Sequence, residues 1–192
     1  MRACACLVVL VGLVLGSHDD GSTQPSRVPR IGYLATHPAW TPYFHSAMKN
    51  QGYVEGTNLR VEWRVSDLEP GHLRTSALEL VALGVDLIFV DSTPAALVVK
   101  SATEKLPIVF AALVDPVGTG LVAGLPRPGG NLTGTTLMTR DVMAKRVQLL
   151  KEAAPAMSTV AILWNPTHPH GPVQVEDIEN AEDRVKIVCG SQ

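Results

Sequence analysis

An open parallel sheet flanked by helices is the fold this sequence predicts. Three observations lead there. Short apolar runs of strand length alternate with helical periodicities from Val28 to Trp164. One run, Val85 to Val90 (VDLIFV), is almost continuously apolar, as a strand covered on both faces must be. Gly 16 and Pro 14 punctuate the 192 residues, enough for many short turns.

Ile31 to Ala35 (IGYLA) is the first strand. His37 to Tyr43 holds Pro38 and Pro42 and reads as a loop. Phe44 to Gln51 is a short helix with Phe44, Ala47 and Met48 on one face, stopped by Gly52. Asn58 to Val65 alternates at period two, with Leu59, Val61, Trp63 and Val65 on one side, which predicts a half-exposed strand near an edge. Leu73, Ala77, Leu80 and Val81 recur at helical spacing, and Gly84 ends that helix. Val85 to Val90 is the central strand. Ser92 and Thr93 before Pro94 suit an N-cap with proline in the first turn, opening a helix to about Thr103. Pro107 leads into the strand Ile108 to Leu113.

Asp115-Pro116 predicts a short helix towards Gly124. Arg127-Pro128-Gly129-Gly130 is a loop, Leu132 to Leu137 a strand, and Arg140 to Ala154 a helix with Val142, Met143, Val147, Leu150 and Ala154 on one stripe. Thr159 to Trp164 is a further strand. After Asn165-Pro166 the periodicity weakens.

Composition removes several function classes. Lys plus Arg is 16 against 18 for Asp plus Glu, a net charge of −2, which argues against a nucleic-acid partner. Phe, Trp and Tyr number 3 each, too few for an aromatic-rich sandwich core. There is no G-x-S-x-G elbow and no G-x-x-x-x-G-K-[ST] loop. Gly118-Thr119-Gly120 with Gly124 matches a dinucleotide fingerprint only loosely, and turn formation is the plainer reading. His168-Pro169-His170 lacks a third ligand, so no metal site is expected. Asn131-Leu132-Thr133 fits a glycosylation sequon by chance.

The N-terminus reads as a secretory signal over residues 1–16. Arg2 precedes the apolar stretch Ala3 to Leu15, which is shorter than the ~20 residues a membrane span needs. Residues 17–27 are a polar linker. Cys4 and Cys6 fall in the signal, leaving Cys189 as one thiol that cannot form an internal disulfide; no C-x-x-C pair exists.

In a parallel sheet, ligands bind beyond the carboxyl ends of the strands. Here those ends are Thr36-His37, Asp91-Ser92-Thr93, Val114-Asp115-Pro116 and Thr135-Thr136: small, polar and without a nucleophile–base pair. Ser92 and Thr93, at a strand-to-helix turn, can hold an anion such as a carboxylate or simply cap the helix. Asp115 can cap the next helix or receive a ligand ammonium.

The ordered set RIGYL, GYVEGTNLRVEWR, ALELVALGVDLIFVDSTPAALVVKSAT, LPIVFAALVDPVGTGLVAGLPRPGGNLTG and KRVQLLKEAAPAMSTVAILWNP resembles the ABC transporter substrate-binding proteins of the tryptophan/tyrosine-transport type. Thr93-Pro94-Ala95-Ala96, Asp115-Pro116-Val117-Gly118 and Arg127-Pro128-Gly129-Gly130-Asn131 carry most of it. The resemblance spans about Val28 to Pro166. It implies a type I periplasmic-binding-protein fold of two Rossmann-like lobes around a cleft, closing by a hinge. Residues 28–137 would be the N-terminal lobe, 138–166 the start of a second, incomplete lobe, and 167–192 a divergent tail.

The implied function is extracytoplasmic capture of an amino acid or related solute for a membrane permease, with no cofactor, no metal and no enzymatic step. Thr36, Ser92, Thr93 and Asp115 would line the first lobe's wall, with Trp40 or Tyr43 facing a ring or apolar side chain. A one-walled site predicts weak or absent binding. The competing readings are a nucleotide-dependent enzyme using the Gly118 to Gly124 loop, and a ligand sensor on the same fold.

Overall fold

A computed structural model describes residues 27–137, 139–164, 175–176, 178 and 186–191. The expected signal with its Cys4 and Cys6, residues 17–26 of the expected linker, Met143's side chain and His168-Pro169-His170 lie outside what is described. The chain divides into two compact units, the first ending at Thr136 and the second beginning at Leu137.

The first unit is built on a sheet. Its strands are β1 (Arg30–Ala35), β2 (Arg60–Val65), β3 (Leu87–Val90), β4 (Ile108–Val114) and β5 (Leu132–Leu137). Their order is β2-β1-β3-β4-β5. β1 runs parallel to β2 from Arg30↔Arg60 to Ala35↔Val65, and parallel to β3 from Ile31↔Leu87 to Leu34↔Val90. β3 runs parallel to β4. The Ile108 N–H donates to the Asn131 carbonyl at 2.8 Å, and the Thr136 hydroxyl donates to the Leu113 carbonyl at 2.8 Å. So β5 starts beside the start of β4 and ends beside its end.

Helices fill the crossovers. α1 (Thr41–Asn50) follows β1, after a single 3-10 turn at Pro38–Trp40. The expected loop over His37 to Tyr43 is therefore mostly helical. Pro42 in the first helical turn loses no hydrogen bond there, so it starts α1 rather than excluding it. α2 (Pro70–Ala82) follows β2 and is capped by Glu69, whose carboxylate accepts the Gly71 and His72 N–H groups. α3 (Thr93–Ala102) follows β3.

The alternation of each strand sorts its side chains to two faces. Leu34, Ile88, Val90, Ile108 and Phe110 face α2 and α3, where Leu73, Ala77, Leu80, Ala96 and Val99 complete an aliphatic core. Ile31, Tyr33, Leu87, Phe89 and Val109 face α1, where Phe44 and Met48 complete the other. Each Val, Leu, Ile, Phe or Met side chain among them contributes about 1.5–3 kcal/mol when withdrawn from water. The scarce aromatics concentrate on this second face. The Tyr33 ring lies 5.0 Å from Phe44, 4.8 Å from Trp63 and 4.7 Å from Phe89. β3 is buried along its whole length, as its unbroken apolar run requires. β2 stands at the edge, and its inward face fades along the strand: Val61 is buried while Val65 is exposed.

Gly134 is where β5 and β4 come closest. A Cβ there would stand 2.1 Å from the Phe110 carbonyl oxygen and 2.4 Å from its ring. Only glycine lets the two strands meet at this point.

The second unit contains α4 (Thr139–Ala153), β6 (Thr159–Trp164) and β7 (Lys186–Ser191). β6 and β7 run parallel, from Thr159↔Lys186 to Trp164↔Ser191. β7 lies in the expected divergent tail, and the weak periodicity after Pro166 gave no sign of it. Of the expected α4 stripe, Val147 is buried, whereas Val142 and Leu150 are exposed.

Candidate functional site

Because the first unit's strands share a direction, their carboxyl ends form one rim. The chain passes from β1 outward to β2, then crosses back to put β3 on the other side of β1. Strand order reverses there, and the crevice outside the carboxyl ends of β1 and β3 is the binding position such sheets provide.

A carboxylate stands at that point. Asp91, directly after β3, accepts the Thr36 N–H and the Thr36 hydroxyl on Oδ1, each at 2.9 Å. The His37 N–H also donates to this carboxylate, and the Tyr33 hydroxyl reaches Oδ2 at 3.5 Å. Asp91 thus ties the end of β1 to the end of β3. Burial pushes its carboxyl above the ordinary value; the hydrogen bonds from Thr36 and His37 oppose that rise without cancelling it. Sequence reasoning named Asp91 as a strand end and passed over it as a site residue. The available signal was an acidic residue closing an apolar strand.

Ser92 caps α3, its hydroxyl accepting the Ala95 N–H at 3.3 Å. Thr93 is buried at 4% exposure, a packed first-turn residue, while Ser92 stays half-buried. Both are at the rim, as expected. Trp40 and Tyr43 are 56% and 61% exposed, with ring centroids 5.9 Å apart, in the segment that leaves Thr36. Their ring contact is with each other.

Asp115 departs from expectation. No helix follows it; residues 116–123 form turns and bends. Asp115 has φ +41, and its Oδ1 accepts the Gly118 N–H at 2.8 Å. Its carbonyl accepts the Thr119 N–H at 3.1 Å and the Thr119 hydroxyl at 3.0 Å. The left-handed backbone at Asp115 interrupts helical geometry where the helix was to begin. A Cβ on Gly118 would collide with that carboxylate at 2.2 Å, so this glycine serves the turn. The loop also lacks the helix N-terminus on which a dinucleotide pyrophosphate would rest. Asn131 is occupied as well: its side-chain amide donates to the Thr103 and Leu106 carbonyls at 3.2 and 2.7 Å.

Ser66 is a further residue that sequence reasoning missed. It follows β2 and donates its N–H to the Ala35 carbonyl at 2.9 Å, next to Thr36. Its hydroxyl is buried and has no hydrogen-bond partner among the described residues.

Two grooves lie in the first unit. One, about 360 Å³, runs along α1 from Phe44 to Lys49 against residues 53–55 and Leu59. The other, about 280 Å³, lies between Phe110, Thr133 and Thr136 of the sheet and the loop holding Pro116, Val122 and Leu125. Neither is lined by Thr36, Trp40, Tyr43, Ser92, Thr93 or Asp115.

The family described as ABC transporter substrate binding protein matches residues 39–188, which carries the likeness past Pro166. The tyrosine-binding protein of Clostridioides difficile (strain R20291) is 28% identical over 171 residues, covering 85% of this chain and 48% of that protein. A crystal structure of the ABC domain in complex with L-Trp from Streptococcus pneumonia is 26% identical, with a TM-score of 0.74 over 86% of this chain and 58% of that one. A conserved domain protein from Vibrio cholerae is 27% identical, with a TM-score of 0.77 and the same coverage. A leucine binding protein from Thermotoga maritima, at 13% identity and a TM-score of 0.64, shares the fold. The chain spans about half the length of the curated relative it matches.

Proposed function

Since the chain belongs to the ABC transporter substrate-binding protein family, we propose that it captures a small solute, an amino acid or related compound, at the carboxyl rim of its first sheet. Capture takes place outside the cytoplasm, in the periplasm or an equivalent secreted setting, after export directed by residues 1–16. The loaded protein delivers its solute to an ABC transporter permease. The step is binding and release, with no covalent chemistry. Among the described residues no helix is long and apolar enough to cross a membrane.

The observation that carries this reading is the position of Thr36 and Ser92 at the strand-order switch point of a sheet from this family. Small polar groups at the strand ends suit a charged solute without requiring a catalytic pair. Thr36, Ser92, Thr93 and Asp115 supply the polar wall, and Trp40 and Tyr43 an aromatic face. Relatives described as tyrosine-binding or crystallised with L-Trp support the amino-acid class.

Isothermal calorimetry of this chain with a panel of amino acids tests the reading. The expected result is weak but saturable binding of at least one member, at about millimolar affinity. No saturable heat across the panel contradicts it.

A further inference from the structure

We propose that Asp91 receives the ammonium group of the solute, which makes the crevice selective for amino-bearing compounds. The inference rests on the solute-capture reading of the same rim and adds the group that is recognised.

Three observations carry it. Asp91 sits at the switch point between β1 and β3, the place in this sheet where a ligand meets the strand ends. Its carboxylate is half-buried, yet no cation pairs with it among the described residues. Its known neighbours are all neutral donors: the Thr36 N–H and hydroxyl, the His37 N–H and the Tyr33 hydroxyl. The His37 ring is turned elsewhere, with Nδ1 accepting the Ala39 N–H at 3.3 Å. An amide oxygen at this position would serve both Thr36 donors and would carry no charge to desolvate. A half-buried unpaired charge is costly, and it makes sense when a cation arrives to meet it.

The two carboxylate oxygens are unequal in a way that suits this role. Oδ1 is filled by both Thr36 donors at 2.9 Å, which fixes the group's orientation. Oδ2 has one long contact from Tyr33 at 3.5 Å, leaving acceptor capacity for an –NH₃⁺ group. Asp115, the other acid on the rim, already accepts Gly118 on Oδ1 and is shaped by its turn. Burial holds the Asp91 carboxyl above its ordinary value, so an arriving cation also favours its ionised form.

Calorimetry with three indole probes tests the assignment: L-tryptophan, tryptamine without the carboxylate, and indole-3-propionate without the amine. L-tryptophan and tryptamine are expected to bind, and indole-3-propionate to bind at least about tenfold more weakly than L-tryptophan. Asp91→Asn keeps the acceptor for Thr36. It should lower affinity for both amines about tenfold while leaving indole-3-propionate unchanged. In the unmodified chain, tryptamine affinity should fall from about pH 7 to about pH 4 as the carboxylate takes a proton. That arm needs no variant and stands even if Asp91→Asn fails to fold.

Indole-3-propionate binding as tightly as L-tryptophan overturns the inference and leaves solute capture standing. So does an affinity lost in Asp115→Asn but kept in Asp91→Asn. Binding of none of the three overturns the inference, and silence across the amino-acid panel as well overturns the capture reading with it.

Discussion

The carboxyl rim of the first sheet has two halves built by different means. At β1 and β3 it is made by side chains: Asp91 binds Thr36 and His37, and Ser92 caps α3. At β4 it is made by the backbone. Ala112 and Asp115 adopt φ +52 and +41, and the Ala112 N–H turns to the Thr135 hydroxyl at 3.0 Å. The first half joins two strands through groups that a ligand can also touch. The second bends one strand away from regular geometry and is held by β5 beside it. Polar chemistry and backbone strain have been put on separate strands of one sheet, and they should fail in different ways.

The largest expected effect breaks the backbone half. Gly134→Ala drives a methyl against the Phe110 carbonyl and ring, and should destabilise the chain by about 3 kcal/mol in urea unfolding. Little change would mean that β4 and β5 separate at small cost.

Next comes the side-chain half. Thr36→Val removes a hydroxyl bond to a charged acceptor, at an expected cost of about 1.5 kcal/mol by the same measurement. Thr135→Val should cost less, because Ala112 is exposed and water can replace the lost acceptor. Equal losses would erase the distinction between the halves.

Asp91 adds a pH signature. Its folded carboxyl is raised, so the folded state holds the proton more tightly than the unfolded state does. The stability that follows is present below the unfolded value and is lost as pH rises through the folded one. Asp91→Asn removes this loss. Its stability relative to the unmodified chain should therefore increase from acid towards neutral pH, as read by thermal unfolding at a series of pH values. A flat difference would mean that Asp91 titrates normally.

Two smaller effects sharpen the picture. Ala112→Gly relieves a left-handed conformation and should stabilise by about 0.5–1 kcal/mol. Ser66→Ala removes a buried hydroxyl that has no partner among the described residues, so a change within about 0.5 kcal/mol, neutral or favourable, is expected.

The same division explains what could be read in advance. β3 was legible because an apolar run bounded by Gly84 and Ser92 has few other structures open to it. The α3 cap was legible because Ser-Thr-Pro is local chemistry. The turn after Asp115 was not: whether Asp-Pro opens a helix or a turn depends on the left-handed φ at Asp115 and on packing against β5, neither of which is a local property. Asp91 was visible as a residue but not as a node, because its partners lie 55 positions away in sequence. β7 escaped for a related reason, since its pairing with β6 is long-range. Trp40 and Tyr43 were placed by analogy with the family, and their mutual contact supports an exposed aromatic surface without assigning its use.

The central claim is that solute binds at the β1/β3 switch point. Amide chemical-shift mapping of this chain during titration with L-tryptophan tests it most directly. The account predicts that the largest shifts fall on Thr36, His37, Asp91, Ser92 and Thr93. Shifts centred instead on the groove between Phe44 and Leu59, with that rim unmoved, would contradict it.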